Sequence, residues 1–219
     1  VPDSEGQFTS DHGWSLPQDM ARLQPLVAEA KALGVRVSLF MDADPDPVVN
    51  ARAMASVKAL GADRVELYTE PWAQAVSEGD AARITQVLGH FANAAQAALD
   101  QGLGVNAGHD LSLYNLSAFA RGVPGLHEVS IGHALIGDAL EMGYGAAVQA
   151  YLQCLAQGRA QALAVATTSA MCGASAPVWN ATVNALRRAF CRTQKCGCGA
   201  NGRSVGPSAG CVIWPHVFP

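Results

Sequence analysis

What this chain lacks narrows its class before any motif is read. No apolar run approaches the ~18 residues that a membrane span needs, so the 50% hydrophobic content belongs in a buried core. There is no basic excess: the net charge of −4 at pH 7 gives no support for nucleic acid or an anionic membrane as partner. The opening Val-Pro-Asp-Ser-Glu has neither a basic stretch nor an apolar stretch, so no signal peptide is read there, and it also lacks a starting Met, which suggests a fragment. Cysteine is nearly missing from the first three-quarters: only Cys154 precedes position 170, and five of the six lie beyond it. That region reads as a cytoplasmic, disulfide-free domain.

What is present is an alternation of helix, glycine, strand and polar turn. Ser15 with Gln18 resembles a capping box, which predicts a helix to Leu33 in which Pro25 kinks the pattern or delays its start. Val35–Met41 reads as a buried parallel strand, ended by Asp42-Ala-Asp44-Pro45, with Asp44 as cap and Pro45 as first residue of a helix to Leu60. Arg64–Thr69 is the next strand, and Ser77 or Asp80 caps a helix to about Asp100. Two short strands then end in Gly108-His109 and Gly132-His133, the first followed by a helix over Leu111–Arg121, and Gly143 to about Gln157 closes the regular part. A strand that stops at glycine and opens a helix exposes N–H groups suited to an anion, and a histidine in the same turn titrates near neutral pH. The pair suits proton chemistry on a phosphorylated substrate.

Strands alternating with helices imply a parallel sheet with right-handed crossovers. Four such units make half of a (β/α)8 TIM barrel, with a doubly wound open sheet as the competing architecture. The barrel is preferred because polar residues recur at successive strands, Asp42, Glu66, His109 and His133, and barrel strand ends converge on one face.

Val-Ser-Leu-Phe-Met-Asp-Ala-Asp (37–44), Val-Glu-Leu-Tyr-Thr (65–69), Val-Asn-Ala-Gly-His-Asp-Leu (105–111) and His-Glu-Val-Ser-Ile-Gly-His-Ala-Leu-Ile-Gly (127–137) resemble, in order and spacing, the pyridoxine 5′-phosphate synthase family. The resemblance covers roughly residues 1–160. It implies a TIM barrel, here its C-terminal half, that condenses 1-deoxy-D-xylulose 5-phosphate with 3-amino-2-oxopropyl phosphate. The products are pyridoxine 5′-phosphate, phosphate and water. It further implies a cytoplasmic homo-octamer with no organic cofactor, and no metal, nucleic acid or membrane as partner.

Residue by residue, the resemblance makes His109 the proton donor and Glu66 a transition-state stabiliser. It assigns Gly132 and His133 to the aminoketone phosphate, and Thr9 to the other substrate. Asp110 would contact the aminoketone phosphate through its N–H, with its carboxylate turned away as a helix cap, because a carboxylate repels phosphate. Asp42 and Asp44 are assigned only to capping and to the electrostatics of the mouth.

Two departures stand beside the resemblance. Nothing here matches the segments that carry the family's remaining acid–base and phosphate residues, so the chain reads as N-terminally truncated and inactive alone. Residues 161–219 read as an irregular Cys/Gly-rich tail, translated from a shifted frame or without fixed structure, and their single Cys196-Gly-Cys198 is not the paired knuckle of a zinc site. Two other readings compete. A different phosphate-binding barrel, an aldolase or isomerase, would want a lysine at a strand end, whereas Lys31, Lys58 and Lys195 fall in helices or tail. The other is a catalytically dead remnant.

Overall fold

The computed structural model describes residues 1, 2, 6 and 9–172, with the backbone alone for 165–172. The elements are α1 (Met20–Ala32), β1 (Ser38–Met41), α2 (Pro47–Ala59), β2 (Arg64–Tyr68), α3 (Glu70–Glu78), α4 (Ala81–Asp100), β3 (Gly104–Gly108), α5 (Leu116–Gly122), β4 (Leu126–Ser130), α6 (His133–Met142) and α7 (Tyr144–Cys172). The strands form one parallel sheet in the order β1-β2-β3-β4. The chain is thus α/β with every strand beside its sequence neighbour, whereas a doubly wound sheet reverses its strand order at a switch point.

The two faces of the sheet differ because side chains alternate along a strand. On one face Leu39, Val65 and Val105 lie side by side, as do Met41, Leu67 and Ala107. All six are buried in the core with Leu88, Phe91, Phe119 and Trp72 of the helices. On the other face Phe40, Glu66, Asn106 and Glu128 form one rung. A register shift between Val105 and Asn106 inserts His127 into β4 and keeps Glu128 on this polar face. Arg64 donates to Asn106 Oδ1 at 3.1 Å, Asn106 donates to Glu128 at 3.3 Å, and Arg36 donates to both Glu128 oxygens at 2.9 and 2.8 Å.

Several helix ends differ from the sequence reading, each for a local reason. No capping box forms at Ser15: its N–H donates to the Asp19 carboxylate at 2.9 Å, and α1 begins one residue later, at Met20. Pro25 sits inside α1, which starts later than Ser15. The tandem Asp44-Pro45-Asp46-Pro47 offers two cap-and-proline pairs, and the second is used: Asp46 Oδ1 accepts the Val48 N–H at 2.8 Å. The first pair becomes a turn, held by Asn50, whose amide brackets the N–H and C=O of Asp44. Asp80 does cap α4, but a separate helix, α3, precedes it where none was expected, with Pro71 in its first turn. The segment after Gly143 is preceded by α6, and α7 continues past residue 160 to Cys172. Residues 173–219, with Cys191, Cys196, Cys198 and Cys211, lie outside the described residues. Among the described residues no helix is long and apolar enough to cross a membrane.

Candidate active site

The C-terminal ends of β2, β3 and β4 bring together Glu66, Thr69, His109, Asp110 and His133. The centre is the turn after β3. His109 (φ 86°) and Asp110 (φ 57°) both take the left-handed conformation, which is uncommon outside glycine but several-fold enriched in Asp and His. Strain of this kind persists only where the surroundings hold it. Here the buried Thr69 does so from one side: its N–H and its hydroxyl both donate to the Gly108 carbonyl, at 3.0 and 2.8 Å, and the hydroxyl also reaches the His109 carbonyl. From the other side the buried Asn115 donates to the Asp110 carbonyl at 3.0 Å and accepts the Ser112 N–H at 2.9 Å.

These bonds replace the helix expected directly after Gly108-His109. α5 starts only at Leu116, so the first Gly-His pair presents a histidine and no helix N-terminus. The second pair behaves as the sequence suggested. Gly132 is the N-cap of α6, among the described residues no side chain caps that end, and there is open space where a Cβ on Gly132 would stand. The first N–H groups of a helix have no partner within it, and its dipole favours an anion there.

Around the ring of His109 every polar position is used. Nδ1 lies 3.0 Å from Asp110 Oδ2, and Nε2 lies 3.0 Å from Thr9 Oγ1. An ionised carboxylate only accepts, so Nδ1 carries the proton; in the tautomer protonated at Nδ1 alone, Nε2 accepts the Thr9 hydroxyl. The other Asp110 oxygen accepts from His133 Nε2 at 3.1 Å. The Asp110 carboxylate therefore does not turn away as a cap: it stands between the two histidines. Electrostatics explain the correction, since two imidazoles attract the carboxylate that a phosphate would repel. His109 is 15% exposed and His133 79%, so one is sheltered and the other faces solvent. Tyr68 packs edge-on to His109, with centroids 4.9 Å apart, and gives its hydroxyl proton to Glu70 at 2.6 Å. Burial pushes the Tyr68 phenol well above its usual range, and the Glu70 bond adds to this.

Glu66 sits at the middle of β2, not beyond its end, and its carboxylate lies over Gly108. A Cβ on Gly108 would stand 2.2 Å from Glu66 Oε1, so glycine at 108 makes the room. Burial raises the Glu66 carboxyl above its ordinary value, while a hydrogen bond with Ser130 and the nearby His109 pull the other way. Asp42 lies at the same end of the sheet, where it accepts the Gly13 N–H at 2.9 Å; partial burial raises it too. Asp44 belongs to the turn before α2, where its Oδ1 accepts the Asp46 N–H at 2.7 Å.

Thr9, His109, Asp110 and His133 are thus linked by hydrogen bonds, with Glu66 near enough to His109 to act through charge. Thr69, Asn115, Tyr68 and Ser130 were not singled out. For Asn115 the signal was weak but present: a buried amide has to find a partner, and Asn115 closely follows the Gly108-His109 pair in sequence.

A model of the family described as "Pyridoxal phosphate biosynthesis protein PdxJ" matches residues 1–157. The pyridoxine 5′-phosphate synthase of Albidiferax ferrireducens is 65% identical over 159 residues, covering 73% of this chain and 60% of that protein. The synthases of Xanthomonas campestris pv. campestris and Xanthomonas axonopodis pv. citri are each 52% identical, over 158 and 163 residues, covering 72% and 74% of this chain. The chain spans about 60% of the length of the curated relatives it matches.

Proposed function

The chain belongs to the PdxJ family, and on that premise we propose that it acts in vitamin B6 biosynthesis as a pyridoxine 5′-phosphate synthase, joining 1-deoxy-D-xylulose 5-phosphate to 3-amino-2-oxopropyl phosphate. The observation that carries this reading is the Thr9–His109–Asp110–His133 cluster set beside the uncapped N-terminus of α6.

In this reading the four-stranded sheet is one half of an eight-stranded barrel. The phosphate of the aminoketone sits on the first N–H groups of α6 at Gly132, with His133 beside it. His109 is the general acid. Ring closure has to expel hydroxyl groups as water, and an imidazole held in one orientation is suited to protonate them. Thr9 contacts the other substrate from the loop that reaches His109. Glu66, poised by burial, stabilises positive charge that develops on the condensing amine. The cytoplasm and a homo-octameric assembly complete the proposal; no organic cofactor takes part in the steps given to these residues.

Calorimetry with 3-amino-2-oxopropyl phosphate tests the phosphate assignment. Binding should weaken strongly in Gly132→Pro, which deletes an N–H and restricts the turn. Unchanged affinity in that variant would place the phosphate elsewhere.

A further inference from the structure

We infer that Asp110 is a positioning residue that ties His109 and His133 into one unit, so that an oxyanion arriving at His133 is felt at the ring of His109. The inference rests on the reading of His133 as an anion contact and His109 as the proton donor.

One carboxylate serves both rings, Oδ2 at 3.0 Å from His109 Nδ1 and Oδ1 at 3.1 Å from His133 Nε2. An ionised Asp110 can only accept, so both rings donate to it. An oxyanion at Gly132–His133 competes for the His133 Nε2 proton. Once that proton turns to the oxyanion, Asp110 Oδ1 loses its partner and the carboxylate charge bears on His109 Nδ1–H alone. A charge-assisted bond of this kind strengthens, and it favours the positively charged ring, the form that donates a proton. Substrate binding would in this way arm the acid. The other groups facing His109 do not compete for Nδ1. Thr9 takes Nε2, Tyr68 offers a ring edge with its hydroxyl engaged by Glu70, and Glu66 acts only through charge.

The carboxylate itself is dispensable to the turn. Thr69 and Asn115 hold the backbone there through main-chain carbonyls, and φ 57° at position 110 suits glycine better than aspartate. Asp110→Gly therefore removes the tie and leaves the fold.

The test is histidine-selective ¹⁵N NMR on the full chain, above the imidazole titration range. In the wild type His109 should show the Nδ1–H tautomer; in Asp110→Gly that preference should be lost, and in Asp110→Asn, which keeps an accepting oxygen, it should be retained. His133→Gln should move the His109 Nδ1 signal in the wild-type background and leave it unmoved in the Asp110→Gly background. An unchanged tautomer in Asp110→Gly, or an equal effect of His133→Gln in both backgrounds, overturns the tie. Inorganic phosphate supplies a separate arm. It should move both rings in the wild type and His133 alone in Asp110→Gly. If it moves neither, the anion-site reading fails, while the variant spectra still decide whether Asp110 joins the two rings.

Discussion

Gly13→Ala should detach the loop that carries Thr9. Gly13 passes so close to the end of β1 that an added Cβ would stand 2.4 Å from the Asp42 nitrogen and 2.5 Å from the Met41 carbonyl carbon. Both atoms are backbone, so no rotamer change relieves the contact. The loop is fastened there by two bonds, Gly13 N–H to Asp42 Oδ1 at 2.9 Å and Trp14 N–H to the Phe40 carbonyl at 2.8 Å. Overpacking of this kind costs about 1–3 kcal/mol, and losing one ordinary hydrogen bond adds about 0.5–1.5 kcal/mol. The Asp42 bond is given only that ordinary value because the Asp42 side chain, though partly buried, still reaches solvent. The sum is about 1.5–4.5 kcal/mol, and local detachment can limit it, because the loop can lift away without unfolding the sheet. Lifting exposes Trp14, which is 9% exposed in place and lies under the Arg22 guanidinium at 5.1 Å. Urea unfolding followed by tryptophan fluorescence reads both effects. With a slope of about 1–3 kcal/mol per molar, the midpoint should fall by about 0.5 M or more, or the native emission should shift red at unchanged midpoint. A native spectrum and midpoint equal to the wild type would refute the packing of Gly13 on Met41–Asp42.

Three further outcomes follow from particular contacts. Burial raises Glu66, so between its ordinary and folded values the folded state holds a proton that the unfolded state lacks, and stability falls as pH rises through that window. Glu66→Gln should therefore stabilise the chain above the window and flatten the dependence of melting temperature on pH there; a melting temperature lowered at neutral pH would contradict this. Asp63 has the opposite sign: the Lys31 ammonium, with the Val37 N–H, holds it down, so its contribution is present above its unfolded value and lost as pH falls through the lower folded one. Lys31→Met should shrink the loss of stability on acidification, read from melting curves in the acid range. Among the described residues Arg121 bonds only to Gln161, at 2.8 Å, and its buried Nε and Nη2 have no partner; Arg121→Met should lie within about 1 kcal/mol of the wild type or above it, and a loss of several kcal/mol on urea unfolding would show a missing partner.

The order of elements was legible because strand and helix patterns differ in period, and glycine marks most of the boundaries. The tandem Asp-Pro repeat was not resolvable from sequence, since 44–45 and 46–47 offer the same local chemistry and only the Asn50 amide selects between them. α3 was not read from the sequence, and what fixes this short helix is tertiary: Trp72 is fully buried and packs against Phe119. At the site the histidines and Glu66 were visible as chemistry-bearing residues at strand ends or among apolar neighbours. The direction of the Asp110 carboxylate was not, because it depends on two left-handed residues in succession. Nor was the role of Thr69, whose bonds go to carbonyls 39 and 40 residues away.

The central claim is that His109, presented by the turn after β3, is the proton donor of a pyridoxine 5′-phosphate synthase. It is tested most directly by putting residues 1–157 of this chain in place of the matching segment of the Albidiferax ferrireducens synthase. Formation of pyridoxine 5′-phosphate is then measured with and without His109→Asn. The account predicts turnover by the chimera and a loss of about 10²–10⁴-fold in the variant, with affinity for 3-amino-2-oxopropyl phosphate nearly unchanged. A chimera that binds both substrates and turns over equally well with His109→Asn would contradict it.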